Sequence, residues 1–320
     1  MSIEVLDPGL STTVQDDGRF GTYHIGMPPS GAMDLFSHTV ANYLVGNDEG
    51  HATLEMTYSG VDVRFETDTT IAITGADVSP ALDGESIPSW QSVAVEAGQE
   101  LSTNFAADGA RTYLAVAGGV DTEPRMGSRS TYTLIGLGGH EGRTLEEGDV
   151  LPIGDADGEA PAGRSVKTEE IPDFSDGKSI RVIIGLCDYR LTEESKAEFL
   201  EAEWTVSPEA DRIGYRFEGP DIEFVDREQP FGAGTDPSNV VDVGYPVGSI
   251  QVPEQPIALA SDAVTGGGYA TIGTVISPDR DLLAQCRTHE SVTFESVTLE
   301  EALEARTERR ERLDRIHDSL

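Results

Sequence analysis

Cysteine is almost absent: Cys187 and Cys286 are the only two in 320 residues, about a hundred positions apart and outside any CxxC arrangement. A disulfide framework and a structural zinc site built on thiolates are therefore excluded. Lysine is nearly as scarce, with Lys167, Lys178 and Lys196 set against nineteen arginines. None of the three has a methionine neighbour, so nothing here resembles a biotin-attachment site. One Gly-Lys-Ser occurs, at Gly177-Lys178-Ser179, but Pro172 stands where a phosphate-binding loop needs its first glycine. The six histidines form no HxH or HExxH spacing, and no GxSxG elbow is present. No stretch approaches eighteen apolar residues, and the opening MSIEVLDPGLSTT lacks the basic and apolar regions of a secretory leader. The expectation is a soluble, cytoplasmic protein with no metal and no covalently bound cofactor, which borrows its energy source or cofactor from another chain.

Acid is what the sequence has in excess. Fifty-eight aspartates and glutamates against 22 basic residues give a formal net charge of −36. Such a surface repels nucleic acid and anionic membranes, so neither is expected as a partner. In molar salt the Debye length falls to about 3 Å, which relieves the self-repulsion. The composition resembles that of halophilic archaeal proteins and reads as adaptation to a salty cytosol.

Thirty-five glycines, 17 prolines and many short β-branched runs predict a strand-rich fold. Strands are expected at 61–65, 69–74, 111–116, 180–184, 256–260, 270–276 and 292–297. Three helices are expected. Asp34 caps the first, whose Phe36, Val40 and Leu44 share a face and which stops at Gly46-Asn47. The second follows Thr192, and the third begins at the capping box Thr298…Glu301. RTYLAVAGGV at Arg111 and QPIALASDAV at Gln255 form a weak repeat offset by about 145 residues. This suggests two related β-domains side by side with a ligand at their seam. The divisions are 1–155, a linker at 156–178, a second domain at 179–298 and a charged helix at 299–320.

Polar and turn-forming residues crowd the first sixty positions: Gln15, Asp16, Arg19, Ser30, Asp34, Asn42, Asn47 and Glu55. The Ser30-Gly31 turn precedes a helix, where free N–H groups and the helix dipole favour an anionic guest. Capping by Ser30 and Asp34 and turning by Gly31 is the plainer alternative. A second cluster holds Asp262, Thr265 and three glycines before Tyr269, which let the backbone approach a ligand or another strand closely. A glycine bulge at a barrel corner explains it equally well. The run Gly136–Arg143 superficially suggests a dinucleotide fingerprint, but TLEEGDVLPIG after it reads as a hairpin, and that site is rejected.

Taken in order, several blocks resemble one family. They are Gly9–Asp16, Gly18-Arg19, Ser30–Asp34, Ala41-Asn42, Leu44–Asn47, Leu54-Glu55, Ile73–Asp77, Tyr113–Gly119 and Gly127–Thr131. Asp211–Gly214, Ile250–Pro253 and Thr265 with Gly267–Tyr269 continue the series. The resemblance is to the biotin-dependent carboxyltransferase-like family, and it covers the chain from about Ile3 to Ala302. That family includes the C-type subunit of 5-oxoprolinase, also labelled allophanate hydrolase subunit 2, and the carboxyltransferase part of urea amidolyase. Pro28-Pro29 and Val264-Thr265-Gly266 depart from what related sequences often show.

The resemblance implies a mainly β protein of two tandem cyclophilin-like β-barrels, with a few short helices and a C-terminal helix. It implies a B-type partner subunit, an A-type subunit, and ATP used through a partner to open 5-oxo-L-proline to L-glutamate. On that reading Asp34, Arg212 and Asp262 are the catalytic candidates. Gln15, Arg19, Ser30, Gly31, Asn47, Glu55, Gln251, Thr265, Gly267 and Tyr269 are the substrate-binding ones. Arginine suits a carboxylate or phosphate because its fork binds bidentately. The alternatives are carboxyl transfer to urea or a similar small amide, with biotin on a partner chain, and a non-catalytic regulatory binder of the B-type partner.

Overall fold

The computed structural model describes residues 1–156, 161–175, 177–229 and 231–320. The chain divides into two compact units. The first comprises Met1–Phe20, Ser30–Phe174 and Arg310–Leu320, and the second Gly21–Pro29 and Ser175–Arg309.

In the first unit, period-two alternation decides which side chain faces which layer. The central strand Arg111–Val116 pairs antiparallel with Thr53–Thr57 on one side and Thr69–Gly75 on the other. Thr12–Gln15 and Ser92–Val95 complete a five-stranded sheet. Leu114, Val116, Ile71 and Ile73 face one way, into a core with Ile3, Val5, Val63 and Phe65 from a six-stranded sheet. Their neighbours Tyr113, Ala115 and Ala72 face the other way, under helix α1, Leu35–Val45. The small Ala72 and Ala115 let α1 lie close, so Phe36, Val40, Ala41 and Leu44 bury against the sheet. Asp34 caps α1 by accepting from the Ser37 N–H at 2.9 Å. Gly46 ends it in a left-handed conformation, φ 80°.

The second unit is a closed seven-stranded barrel. Its strands in spatial order are Lys178–Ile184, Thr271–Val275, Ser249–Gln251, Ile257–Leu259, Gly214–Glu218, Trp204–Val206 and Ser291–Ser296. The ring closes where the first and last of these pair in parallel. Phe294 stacks on Phe199 at 4.6 Å between ring centroids and meets Phe217 edge-on at 5.2 Å. Phe199 comes from helix α2, Glu193–Glu201, capped by Thr192. A short helix α3, Ser277–Ala284, follows the strand Thr271–Val275. Helix α4, Leu299–Ser319, opens with the capping box, in which Thr298 N–H donates to Glu301 and Glu301 N–H to Thr298 Oγ1.

Three features differ from the sequence reading. Helix α3 was not among the three expected, although Pro278 stands in its first turn; a proline there is a start signal that the preceding strand and short length conceal. Residues 161–174 pack with the first unit rather than forming a linker, because Val166 and Phe174 bury beside Trp90. The remainder of that expected linker includes 157–160 and 176, which lie outside the described residues. Glycines 266–268 belong to a strand, Gly266–Tyr269, paired with Asn239–Gly244, so the close approach they permit is to another strand. A Cβ at Gly267 would sit 3.0 Å from the Tyr245 ring.

Candidate functional site

The expected residues of the first unit gather around the start of α1. Gly31 has φ 86°, and a Cβ there would lie 2.9 Å from the Gly18 Cα, so only glycine fits the turn. Ala32 N–H donates to the Asp16 carbonyl at 2.9 Å, fastening the turn to the loop after the strand Thr12–Gln15. Met33 N–H donates to Glu55 Oε2 at 2.7 Å, and Asp34 N–H to the Tyr113 hydroxyl at 2.8 Å. That hydroxyl donates in turn to Glu55 Oε2 at 2.8 Å. Glu55 and Tyr113 are fully buried. Burial, followed by the charges of Glu55 and Asp34, holds the Tyr113 phenol well above its usual range, so it stays an O–H donor.

This geometry corrects one expectation. The N–H groups at 32, 33, 34 and 37 are bonded within the unit, and the carboxylates of Asp34 and Glu55 already occupy the position foreseen for an anion. A second anion would meet like charge. What the turn offers is neutral: the Ser30 hydroxyl is buried and has no hydrogen-bond partner among the described residues, and the same holds for Gln15 Oε1. Buried polar atoms are rarely left unmatched in native proteins, which makes both informative.

Asp16 and Arg19 tie this loop to a second one. Asp16 accepts from Ser128 Oγ at 2.6 Å, from the Gly18 N–H at 2.9 Å, and also from the Ser130 hydroxyl and the Arg129 N–H. Arg19 is buried and donates to the Ser130 carbonyl at 2.6 Å. Asn47 bridges the Val116 carbonyl and the Gly118 N–H, so it pins the chain leaving the central strand. His38, not singled out in the sequence, faces Thr53 Oγ1 at 3.0 Å through Nδ1. Burial lowers its pKa from 6.5 to about 4, outweighing the nearby charges of Asp16 and Glu55, so the imidazole is neutral at pH 7. The bonds of this cluster fix the turn, and the buried Ser30 hydroxyl lies on it.

In the second unit, Arg212 and Asp262 form a bidentate pair, Nε to Oδ2 at 2.8 Å and Nη2 to Oδ1 at 3.3 Å. Gln251 is buried, and its Nε2 has no partner among the described residues. The Thr265 carbonyl accepts from the Tyr245 N–H, and the Tyr245 hydroxyl bonds both the N–H and the carbonyl of Tyr269, whose ring is exposed. Tyr113, His38, Ser128 and Ser130 are cluster members that sequence reasoning did not nominate as site residues. A lone tyrosine among alanines on one face of a buried strand was the available signal. Among the described residues no group of three His, Cys, Asp or Glu could hold a metal ion, and no helix is long and apolar enough to cross a membrane.

Residues 25–296 match the carboxyltransferase domain family, subdomain A and B. The chain is 37% identical to the C-type subunit of 5-oxoprolinase from Escherichia coli K12 over 95% of its own length and 94% of that protein's. It is 34% identical to urea amidolyase of Saccharomyces cerevisiae over 93% of its length, but spans only 17% of that protein. The structure of K. lactis urea amidolyase matches 98% of the chain with a TM-score of 0.93 at 30% identity, and the matched part is 20% of that polypeptide. The chain belongs to the carboxyltransferase domain family, subdomain A and B.

Proposed function

We propose that the chain is the C-type subunit of an ATP-dependent 5-oxoprolinase, acting with A-type and B-type subunits to open the lactam of 5-oxo-L-proline to L-glutamate. The observation that carries this reading is likeness: the chain is 37% identical to the E. coli 5-oxoprolinase subunit over 94% of that protein. A lactam presents a carbonyl acceptor and an N–H donor, and neither needs a charged partner. We assign the Ser30 hydroxyl to that amide, with Asp34, Glu55 and Tyr113 holding the turn that carries it. In the second unit the Arg212–Asp262 pair and the buried Gln251 are the polar groups we assign to that unit's own ligand contacts. ATP enters through a partner, since the sequence has no phosphate-binding loop of its own.

The test is reconstitution. The three subunits, 5-oxo-L-proline and ATP should yield L-glutamate, and omission of this chain should abolish it. No glutamate from a folded, complete complex rejects the reading. A second reading, carboxyl transfer from carboxybiotin to a small amide such as urea, draws on the likeness to K. lactis urea amidolyase. It requires a biotinylated partner, so an avidin blot of co-purified material separates the two.

A further inference from the structure

The block Ile73–Asp77 takes no part in the turn around Ser30. Its end lines a separate cavity of about 440 Å³ in the first unit, within the size range of small-ligand pockets. Ile87, Trp90, Ile171 and Phe174 form apolar walls, and Trp90 and Phe174 are each only 6% exposed. Asp77 and Asp108 stand at the rim. One oxygen of each is tied to backbone, Asp77 Oδ1 to the Ser79 N–H at 2.8 Å and Asp108 Oδ1 to the Asp77 N–H at 3.0 Å. These bonds fix both carboxylates at the rim and leave a second oxygen on each. No lysine, arginine or histidine lines the cavity among the described residues.

We propose that this cavity binds an ammonium group carried on an apolar body. In a chain with 58 acidic residues, two exposed aspartates alone would mean little. Here they stand at the rim of a cavity with apolar walls, where an apolar group gains by burial and a cation gains from the carboxylates. Contact between ammonium and carboxylate is shorter than or comparable to the Debye length of about 3 Å in molar salt, so the pair persists where longer-range attraction is screened. The same chemistry could arrive as a free amine or as a lysine side chain of a docking protein. The proposal is independent of the 5-oxoprolinase reading.

The test follows the two indole ¹⁵N–¹H signals, Trp90 and Trp204, in the full chain, with Trp90→Phe identifying the first. 2-Phenylethylammonium should shift the Trp90 signal saturably, and 3-phenylpropionate, of similar size and opposite charge, should not. The doubly neutralised variant D77N/D108N keeps both backbone acceptors and should bind the amine about tenfold more weakly or worse. N-acetyl-leucyl-lysinamide separates the sources: shifts from the free amine alone assign a small molecule, and shifts from the peptide assign a partner's lysine. No saturable shift from either, equal binding of the anion, or unchanged affinity in the neutralised variant overturns the proposal.

Discussion

Acid should weaken the first unit through His38 in a way that one substitution can isolate. In the unfolded chain this imidazole takes up a proton near pH 6.5; in the folded unit burial delays that to about 4. Between those values the unfolded state binds more protons, so stability falls as pH falls, and the loss is complete below the folded pKa. The full separation corresponds to about 3 kcal/mol, and going from pH 7 to pH 5 captures about 2 kcal/mol of it. His38→Gln removes the titration while leaving groups that can bond Thr53 and Asn42. Its constant cost cancels when each protein is compared with itself. Asp149, held down to about 2 chiefly by its hydrogen bonds from Arg143, titrates equally in both proteins. Urea unfolding at pH 7 and pH 5 in constant potassium chloride should show the wild type losing about 2 kcal/mol more than the variant. Parallel losses would refute the claim that a neutral, buried His38 is part of the fold.

Gly31→Ala combines a left-handed φ of 86° with a Cβ 2.9 Å from the Gly18 Cα, so calorimetry should show a loss of about 2 kcal/mol or more. Phe294→Ala removes the ring that both Phe199 and Phe217 pack against, and denaturant titration of the second unit should show about 3–5 kcal/mol lost. Thr298→Ala breaks the capping box at an exposed helix start and should cost only about 0.5–1 kcal/mol in the same titration. With a net charge of −36, the melting temperature should climb with potassium chloride from low to molar concentration, and a flat or falling profile would contradict the halophilic reading.

Local signals carried much of the fold. The strand-forming run RTYLAV made Arg111–Val116 readable as a strand, and the structure starts and ends it at those residues. Asp34 and Gly46 marked both ends of α1 because capping chemistry is local. Short-range rules failed where a strand ran directly into a proline-initiated helix at Ser277. The glycines at 266–268 were ambiguous for a related reason: a close approach is visible in sequence, but the approaching partner is not. The same limit governs the site. Glu55 was nominated to bind substrate, yet its bonds run to Met33, 22 residues away, and to Tyr113, 58 residues away. Such pairings are created by sheet register, which sequence spacing does not encode. Ser30 was singled out for its place before a helix, and the structure adds what sequence could not show, that its hydroxyl is buried without a partner among the described residues.

The most direct measurement is the rate of glutamate release by the complex of three subunits, compared between wild type and Ser30→Ala of this chain. A hydroxyl that bonds the reacting amide more strongly in the transition state is worth about 1–3 kcal/mol, or roughly 5- to 150-fold in kcat/KM. Such a fall, with assembly and melting temperature intact, is the predicted result. Wild-type turnover in the variant, or turnover in the complete absence of the chain, would contradict the account.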